Sequence, residues 1–330
     1  MSDENPFLCV PTEFGEQVRQ RLLELGVLDV DRKIESNKGK LFFPLKQEIN
    51  LIEMFPESDV SKWMTGHKEF MSTITGPRTV REALENRLSV SELDLLPRAY
   101  DLIGDIAVLE IPPEIHKYRY AIGEAFLQVR PNFVTILGKK GAIGGTLRTR
   151  EYELLAGVDK TDTIHIEYGC RISVDLARAY FSPRLLEEHN RIAQLVQEHE
   201  HVVDMFTGVG PFALHIARKV QASVVAVDIN PEATKLLQSS MAMNRLSGQI
   251  TPINQDIREY VTSVQPHLAD RVIMNHPSGA SDFISEACQL LKSGGTMHYY
   301  DFMGGEDPEG SLSTKLVKLI ETSDRMVKEV

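Results

Sequence analysis

The chain has 330 residues, with an apolar and charged balance ordinary for a folded, water-exposed protein, and it is long enough for two or three compact domains. No run of about 18 apolar residues is present, and the N-terminus is acidic with no basic segment leading into an apolar one, so neither a membrane helix nor a secretory signal is expected. The formal net charge of −11 argues against nonspecific nucleic-acid binding, and three scattered cysteines without a CxxC pair suggest neither a disulfide framework nor a metal site. A reducing, cytoplasmic setting fits this cysteine usage.

Three blocks follow in chain order. Residues 1–75 open with a helix after Thr12, where Val18, Leu22 and Leu23 share a face and Gly26 sits at the C-cap position. Leu41–Leu45 (LFFPL) reads as a short strand, which Pro44 assigns to a sheet edge. The stretch from Ser58 to Pro77, poor in periodic apolar residues, reads as a linker, and its one tryptophan, Trp63, is given no role.

Residues 78–181 form a second block. Asp105–Ile111 is a strand stopped by Pro112 and Pro113, Ile115–Val129 a helix and Phe133–Leu137 a strand. Thr163–Asp175 is then a pair of strands around a Tyr168-Gly169 turn. This is an α+β pattern. Between its elements lies GKKGAIGGTLRTR (Gly138–Arg150), with Lys139, Lys140, Arg148, Arg150 and no acidic residue. Such a run reads first as a solvated loop, yet it also offers a local patch to a nucleic acid despite the acidic total.

In the third block, 182–330, apolar strands alternate with amphipathic helices. The strands are 201–206, 223–228, 250–254, 271–275 and 296–300, with helices at Pro211–Lys219, Pro231–Asn244 and Ser281–Leu291. Buried strands spaced this way build βαβ units and a Rossmann-like parallel sheet, an α/β domain. A sixth strand is expected to begin near Val330, with MVKEV supplying at most one strand and leaving a sheet edge open.

The first strand of this block runs into Asp204-Met205-Phe206-Thr207-Gly208-Val209-Gly210, where glycines let the backbone approach a ligand. Asp228 ends the second strand, placed to accept from ribose hydroxyls, with Ile229 and Asn230 after it. Gly208, Gly210, Ala213 and this aspartate also satisfy a dinucleotide fingerprint, so an NAD-linked oxidoreductase is a rival. Three features favour S-adenosylmethionine. Asp204 would repel a pyrophosphate but suits the ammonium of a methionine moiety. Asp256, beside Ile257 after the third strand, is placed to accept from an adenine amino group. Asn275-His276-Pro277 ends the fourth strand at the edge where substrates sit.

VVDMFTGVGPFALHIA, AVDINPEA, RVIMNHPSGA and GGTMHYY, in this order, together resemble the archaeal and eukaryotic tRNA (guanine-37-N1)-methyltransferases. The likeness continues upstream through FSPRLLEEHNRI, LRTREYELLAG, GDIAVLEI and FGEQVRQRLLELGVLD, so that it covers nearly the whole chain. It implies a monomeric three-domain enzyme: a small domain (1–75) touching the outer corner of tRNA, a middle domain (78–181) on the anticodon arm, and a methyltransferase domain (182–330) holding S-adenosyl-L-methionine. It also implies roles. Arg148 faces guanine O6, Glu188 is the general base, Arg184 meets a tRNA phosphate, Asn275 and Pro277 shape the base pocket, and Asp228 is required at the cofactor. Bland alternatives stand beside these: Arg148 and Arg150 at a solvated strand edge, Glu187 and Glu188 as favourable charges at a helix start, Asn275 as a cap, and Asp204 bonded to loop amides. His189 stands where the family often carries arginine, and His276 replaces a more usual apolar residue, which implies a more polar pocket. A sister activity, aminocarboxypropyl transfer from the same donor to a modified guanosine, and an RNA-binding module with a vestigial donor fold are the remaining readings.

Overall fold

The computed structural model describes residues 4–56, 58–72, 76–145, 147–277, 279–302, 308–323 and 326–327. The chain divides into two compact units, Met1–Ala83 and Leu84–Val330.

In the first unit, β1 (Asn5–Pro11), α1 (Gly15–Glu24), β2 (Glu35–Asn37), β3 (Lys40–Pro44), the single turn α2 (Leu51–Met54) and β4 (Met64–Lys68) make an antiparallel sheet in the order β2-β3-β1-β4. Val18 and Leu22 of α1 join Leu8, Val10 and Phe43 in the core. Leu23, expected on the same face, is 41 % exposed, because its position is one residue further round the helix than the buried stripe. Pro44 does not make β3 an edge. The strand is flanked by β1 and β2, and β2 pairs only as far as Phe42, so the missing amide at Pro44 costs no ladder bond on that side. The expected linker from Ser58 is partly structure: β4 pairs with β1, and Trp63 is buried against Phe14 and Phe55. Its buried apolar residues, Trp63 and Phe70, are far apart and its others irregularly spaced, which hides them from a periodicity test.

The short helix α3 (Val80–Leu84) spans the boundary. The second unit continues with α4 (Val90–Asp94), β5 (Asp101–Ile103), β6 (Ile106–Leu109), α5 (Arg119–Val129), β7 (Thr135–Gly144) and β8 (Thr149–Gly157), in a mixed sheet β5-β6-β7-β8. The basic run is therefore the end of a hairpin, not a solvated loop, and Lys139 within β7 has only 16 % of its side chain exposed. A second hairpin, β9 (Asp162–Glu167) and β10 (Cys170–Asp175), turns at Tyr168 and Gly169, both with positive φ.

After α6 (Leu186–Leu195) come β11 (His201–Asp204), α7 (Pro211–Lys219), β12 (Ser223–Asp228), α8 (Pro231–Met243), β13 (Gln249–Asn254), α9 (Ile257–Ser263), β14 (Ala269–Met274), α10 (Ile284–Leu290), β15 (Leu291–Tyr299) and α11 (Pro308–Glu321). The five strands are parallel in the order β13-β12-β11-β14-β15. Buried residues run along β11, β12 and β14, as a sheet covered on both faces requires. One face packs on α6, α7, α8 and β10; the other on α9, α10 and α11. Ile106, Val108 and Leu137 of the mixed sheet belong to the same buried cluster as Ile172, Phe212 and Val224. The two sheets thus share one core. Of the expected MVKEV strand, Met326 and Val327 are not in a strand and the rest lies outside the described residues. No described helix is long and apolar enough to cross a membrane.

Candidate functional site

Strand order reverses between β11 and β14, and the carboxyl ends of the strands beside such a reversal open onto a crevice. A cavity of about 560 Å³ lies there, roofed by the β7–β8 hairpin and the segment leading into α6. The carboxyl edge supplies Phe206, Gly208, Asp228, Ile229, Asn230, Asp256, Ile257, Asn275 and Pro277; the roof supplies Lys139, Arg148, Arg150 and Arg184.

On the sheet side, the two glycines of the loop do different things. Gly208 and Gly210 both have positive φ. A Cβ on Gly210 would come within 2.3 Å of Leu237 on α8, so this glycine lets the loop lie flush on the helix. A Cβ on Gly208 would meet only the Tyr180 carbonyl, at 3.7 Å, and would occupy the cavity margin. Asp228 accepts from the Gly208 amide at 2.7 Å and the Asn230 amide at 2.8 Å, one on each oxygen. Burial pushes its carboxyl up, against the pull of these two amides. Asn230 caps α8 through Glu232 N and Asp256 caps α9 through Arg258 N.

Asp204 lies beneath the loop, fully buried, and neither carboxylate oxygen has a hydrogen-bond partner among the described residues. Thr207 and the Phe206 amide, loop groups of the kind the alternative reading expects, lie close enough to pull its pKa down. Burial dominates and pushes the group up to about 7. A glycine open to the cavity and the pair of acceptors on Asp228 fit S-adenosylmethionine, whereas Asp204, expected at the methionine ammonium, lies behind the cavity wall and does not line it. Ile229 and Ile257 add apolar walls suited to adenine.

On the roof side, Arg148 occupies the β7–β8 turn at φ 52° and its Nη1 donates to the Pro277 carbonyl at 3.0 Å. Its guanidinium also lies 5.6 Å from the centre of the Tyr180 ring. One side chain thus ties the mixed sheet to the Asn275-His276-Pro277 segment. Asn275 does not cap the next segment, whose helix is entered through Gly279. His276 stacks on Phe206 at 4.8 Å, with Phe283 edge-on to Phe206 at 5.0 Å, so the expected polar pocket is an aromatic floor here. Burial, then the charge of Arg148, lowers the His276 pKa.

Lys139 and Arg184 share one carboxylate, Asp101, at 3.1 and 2.9 Å. Burial raises the Asp101 pKa, but hydrogen bonds from Arg184 and Lys139 outweigh it and hold the group low. Lys140 is exposed, away from the cavity and 3.8 Å from Glu151. Glu188 does not line the cavity either. Arg191 grips it with two bonds, at 2.6 and 2.7 Å, and the Tyr300 hydroxyl donates to it at 2.5 Å. Burial raises its pKa and these partners more than offset that, leaving it below the usual carboxylate range. His189, rather than facing a phosphate, is buried with Nδ1 2.7 Å from Glu167. Asp101, Tyr180, Phe283 and Arg191 were not anticipated. An acid beside a basic hairpin becomes visible only once the sheet pairs β5 with β6 and β6 with β7.

A parallel sheet of this order, with a glycine turn after its first strand and an acidic residue ending the next, defines a Rossmann-like methyltransferase domain. The TRM5/TYW2 methyltransferase domain model matches residues 163–328, the TYW2 N-terminal domain residues 80–161, and the tRNA methyltransferase 5 N-terminal domain residues 8–53. The chain is 38 % identical to tRNA (guanine(37)-N(1))-methyltransferase Trm5b of Pyrococcus abyssi, over 91 % of its own length and 85 % of that protein. With the Methanocaldococcus jannaschii Trm5b it shares 36 % identity, over 95 % and 89 % of the two chains. A Pyrococcus horikoshii tRNA(Phe) (4-demethylwyosine(37)-C(7)) aminocarboxypropyltransferase is 34 % identical over 67 % of this chain and 78 % of that one. Among solved structures, Pyrococcus abyssi Trm5b superposes with a TM-score of 0.71 at 36 % identity, covering 96 % and 90 % of the chains. The aTrm5 chain in complex with tRNALeu gives 0.70 at 34 % identity, covering 93 % and 90 %. The chain belongs to the TRM5/TYW2 methyltransferase family.

Proposed function

We propose that this protein transfers the methyl group of S-adenosylmethionine to N1 of guanosine 37 in tRNA. The observation that carries the proposal is the bond from Arg148 to Pro277 O, which sets a cation from the basic hairpin over the mouth of the cofactor crevice. Kinship with Trm5b proteins over most of both chains supports it.

S-adenosylmethionine, when bound, supplies an electrophilic methyl group. The chain's own work is to make N1 of guanine a nucleophile, since that nitrogen carries a proton and its lone pair is drawn into the ring amide. Arg148 holds the negative charge that moves onto O6, with Nη1 anchored on Pro277 and its other N–H groups available. Glu188 takes the N1 proton, which requires it to part from both Arg191 and Tyr300 and turn toward the cavity that it does not line in this structure. Asn275, Pro277 and the Phe206–His276 floor bound the base on the sheet side. A guanine stacked in an anticodon loop does not reach between roof and floor, so the target base leaves its stack. Lys139, Arg150 and Arg184, with Lys140 at the outer end of the hairpin, meet phosphates.

In the same proposal the first block grips the outer corner of tRNA, the second its anticodon arm and the third the donor, in a cytoplasmic monomer. Removal of Met1–Ala83 should weaken tRNA binding while calorimetric affinity for S-adenosylhomocysteine stays unchanged; loss of donor affinity would refute that division. The activity itself is tested by incubating the protein with unmodified tRNA and labelled donor and identifying the nucleoside formed. N1-methylguanosine is expected. An aminocarboxypropyl nucleoside formed from a modified guanosine substrate, with no methylation, would assign the sister reaction instead.

A further inference from the structure

The junction of β9, α6 and α7 holds a cluster that methyl transfer does not use. Glu167 ends β9, His189 lies on α6 and His215 on α7, and all three are buried. Glu167 Oε2 is 2.7 Å from His189 Nδ1 and 3.2 Å from His215 Nε2, and one donor atom from each residue lies within 4.8 Å of the other two. We propose that Glu167, His189 and His215 form a site for a divalent transition metal, zinc being the ion that best suits two imidazoles and a carboxylate.

An ion pair alone leaves this cluster unfinished. Glu167 Oε1 and His215 Nε2 are both buried without a hydrogen-bond partner among the described residues. A metal ion removes both defects, because Nε2 becomes a ligand and a carboxylate can ligate through either or both oxygens. His165 approaches Oε1 to 3.5 Å, and its Nδ1 accepts the Gly104 amide, which leaves its proton on Nε2, facing the carboxylate. That is the outer support a ligating carboxylate ordinarily has.

Geometry is close to what zinc needs. Ligands about 2.0–2.1 Å from a tetrahedral zinc lie roughly 3.3–3.4 Å apart. The 2.7 Å separation therefore needs to open by about 0.6 Å and the 3.2 Å one by about 0.1 Å, while the two ring nitrogens, within 4.8 Å of each other, settle to the same spacing. His189 also borders the cavity, which gives an ion a route inward. The resemblance gives the cluster its contrast: an arginine at position 189 would set a fixed cation against Glu167, whereas histidine sets a ligand there. A bound ion would pin the β9–β10 hairpin to α7 and to α6, the helix that carries Glu188.

Chelator-treated protein titrated with zinc chloride by calorimetry, with melting followed in parallel, tests the site. One zinc per chain and a higher melting temperature with zinc are expected. His189→Arg is the informative variant, since arginine keeps a cation against Glu167 and preserves the fold but cannot ligate. Its zinc affinity should fall by more than about 100-fold, beyond the loss typical of outer-shell changes. Glu167→Gln should lose binding as well. Absence of stoichiometric binding to the folded wild-type chain, or unchanged affinity in His189→Arg, would overturn the assignment.

Discussion

The two sides of the cavity are built differently. Its sheet side comes from consecutive strand ends between Asp204 and Pro277, and in the half between Gly208 and Arg258 its polar groups are fixed by backbone: Gly208 and Asn230 amides on Asp228, helix caps at Asn230 and Asp256. Its roof is gathered from separate segments between Asp101 and Arg184, and its charges are spent on neighbours: Lys139 and Arg184 on Asp101, Arg148 on Pro277 O and, just outside the cavity, Arg191 on Glu188. A small donor can enter a site that is ready. The roof holds its cations in place until a polyanion competes for them. Variants on the roof should therefore change rate and tRNA affinity and spare the donor, while those on the sheet side should do the reverse.

Glu188→Gln offers the largest expected effect. Loss of a general base should lower the single-turnover rate by about 100- to 10,000-fold, with donor affinity unchanged. Because hydrogen bonds from Arg191 and Tyr300 outweigh burial and hold the Glu188 carboxyl below its ordinary value, the limb it controls should lie to the acid side of the ordinary carboxylate range. Arg191→Ala should move that limb upward by removing the cation. A single-turnover rate that survives in Glu188→Gln would mean that another group takes the N1 proton. Next comes Arg148→Ala, expected to cost about 100- to 1,000-fold in rate for a lost preorganised donor. Weaker calorimetric binding of S-adenosylhomocysteine in this variant would break the separation of roof from sheet.

Asp204→Asn probes the other side. Its folded pKa, about 7, lies above the ordinary 3.8, so the native state holds a proton that the unfolded chain has released between those values. Stability contributed by this group is therefore present at low pH, falls as pH rises through that window, and is missing above it. The interval corresponds to roughly 4 kcal/mol. Without donor, Asp204→Asn should melt higher than wild type at pH 8, and the difference should vanish near pH 4. Donor affinity should fall in the same variant if the carboxylate answers the methionine ammonium. Equal melting of the two proteins at pH 8 would show that water or a loop group already satisfies Asp204.

This contrast also explains what could be read from the sequence. β12 and α7 were legible to the residue, and Gly208, Gly210 and Asp228 came with them, because a strand, a tight turn and a helix encode the site locally. Phe133–Leu137 reads as a strand and the start of β7 is one, but the Gly138–Arg150 run reads first as a loop, since it is rich in lysine, arginine and glycine and owes its order to pairing within the hairpin and with β6. Trp63 went unassigned for a similar reason: its burial depends on Phe14 and Phe55, which sequence spacing does not bring together. The grip of Arg191 on Glu188 was encoded at i,i+3 on α6, yet that spacing alone does not tell an ordinary helix pair from one that holds a base.

The smallest effects concern Asp101, and they test the self-pairing of the roof directly. Arg184→Ala removes one phosphate partner, so tRNA affinity should weaken a few-fold and the salt dependence should flatten by about one unit of slope. Asp101→Asn should do the opposite. The carboxylate engages both Lys139 and Arg184, and neutralising it releases Arg184 to RNA while Lys139 keeps Glu110 at 3.4 Å. A tighter complex at low salt and a steeper salt dependence are expected, with donor affinity unmoved. Arg184 is well exposed, whereas Lys139 is mostly covered, so most of the gain should pass through Arg184 and largely disappear in the double variant Asp101→Asn, Arg184→Ala. If Asp101→Asn weakens tRNA binding instead, the carboxylate is aiming these cations at the phosphates rather than withholding them, and the roof is preorganised in the same sense as the sheet.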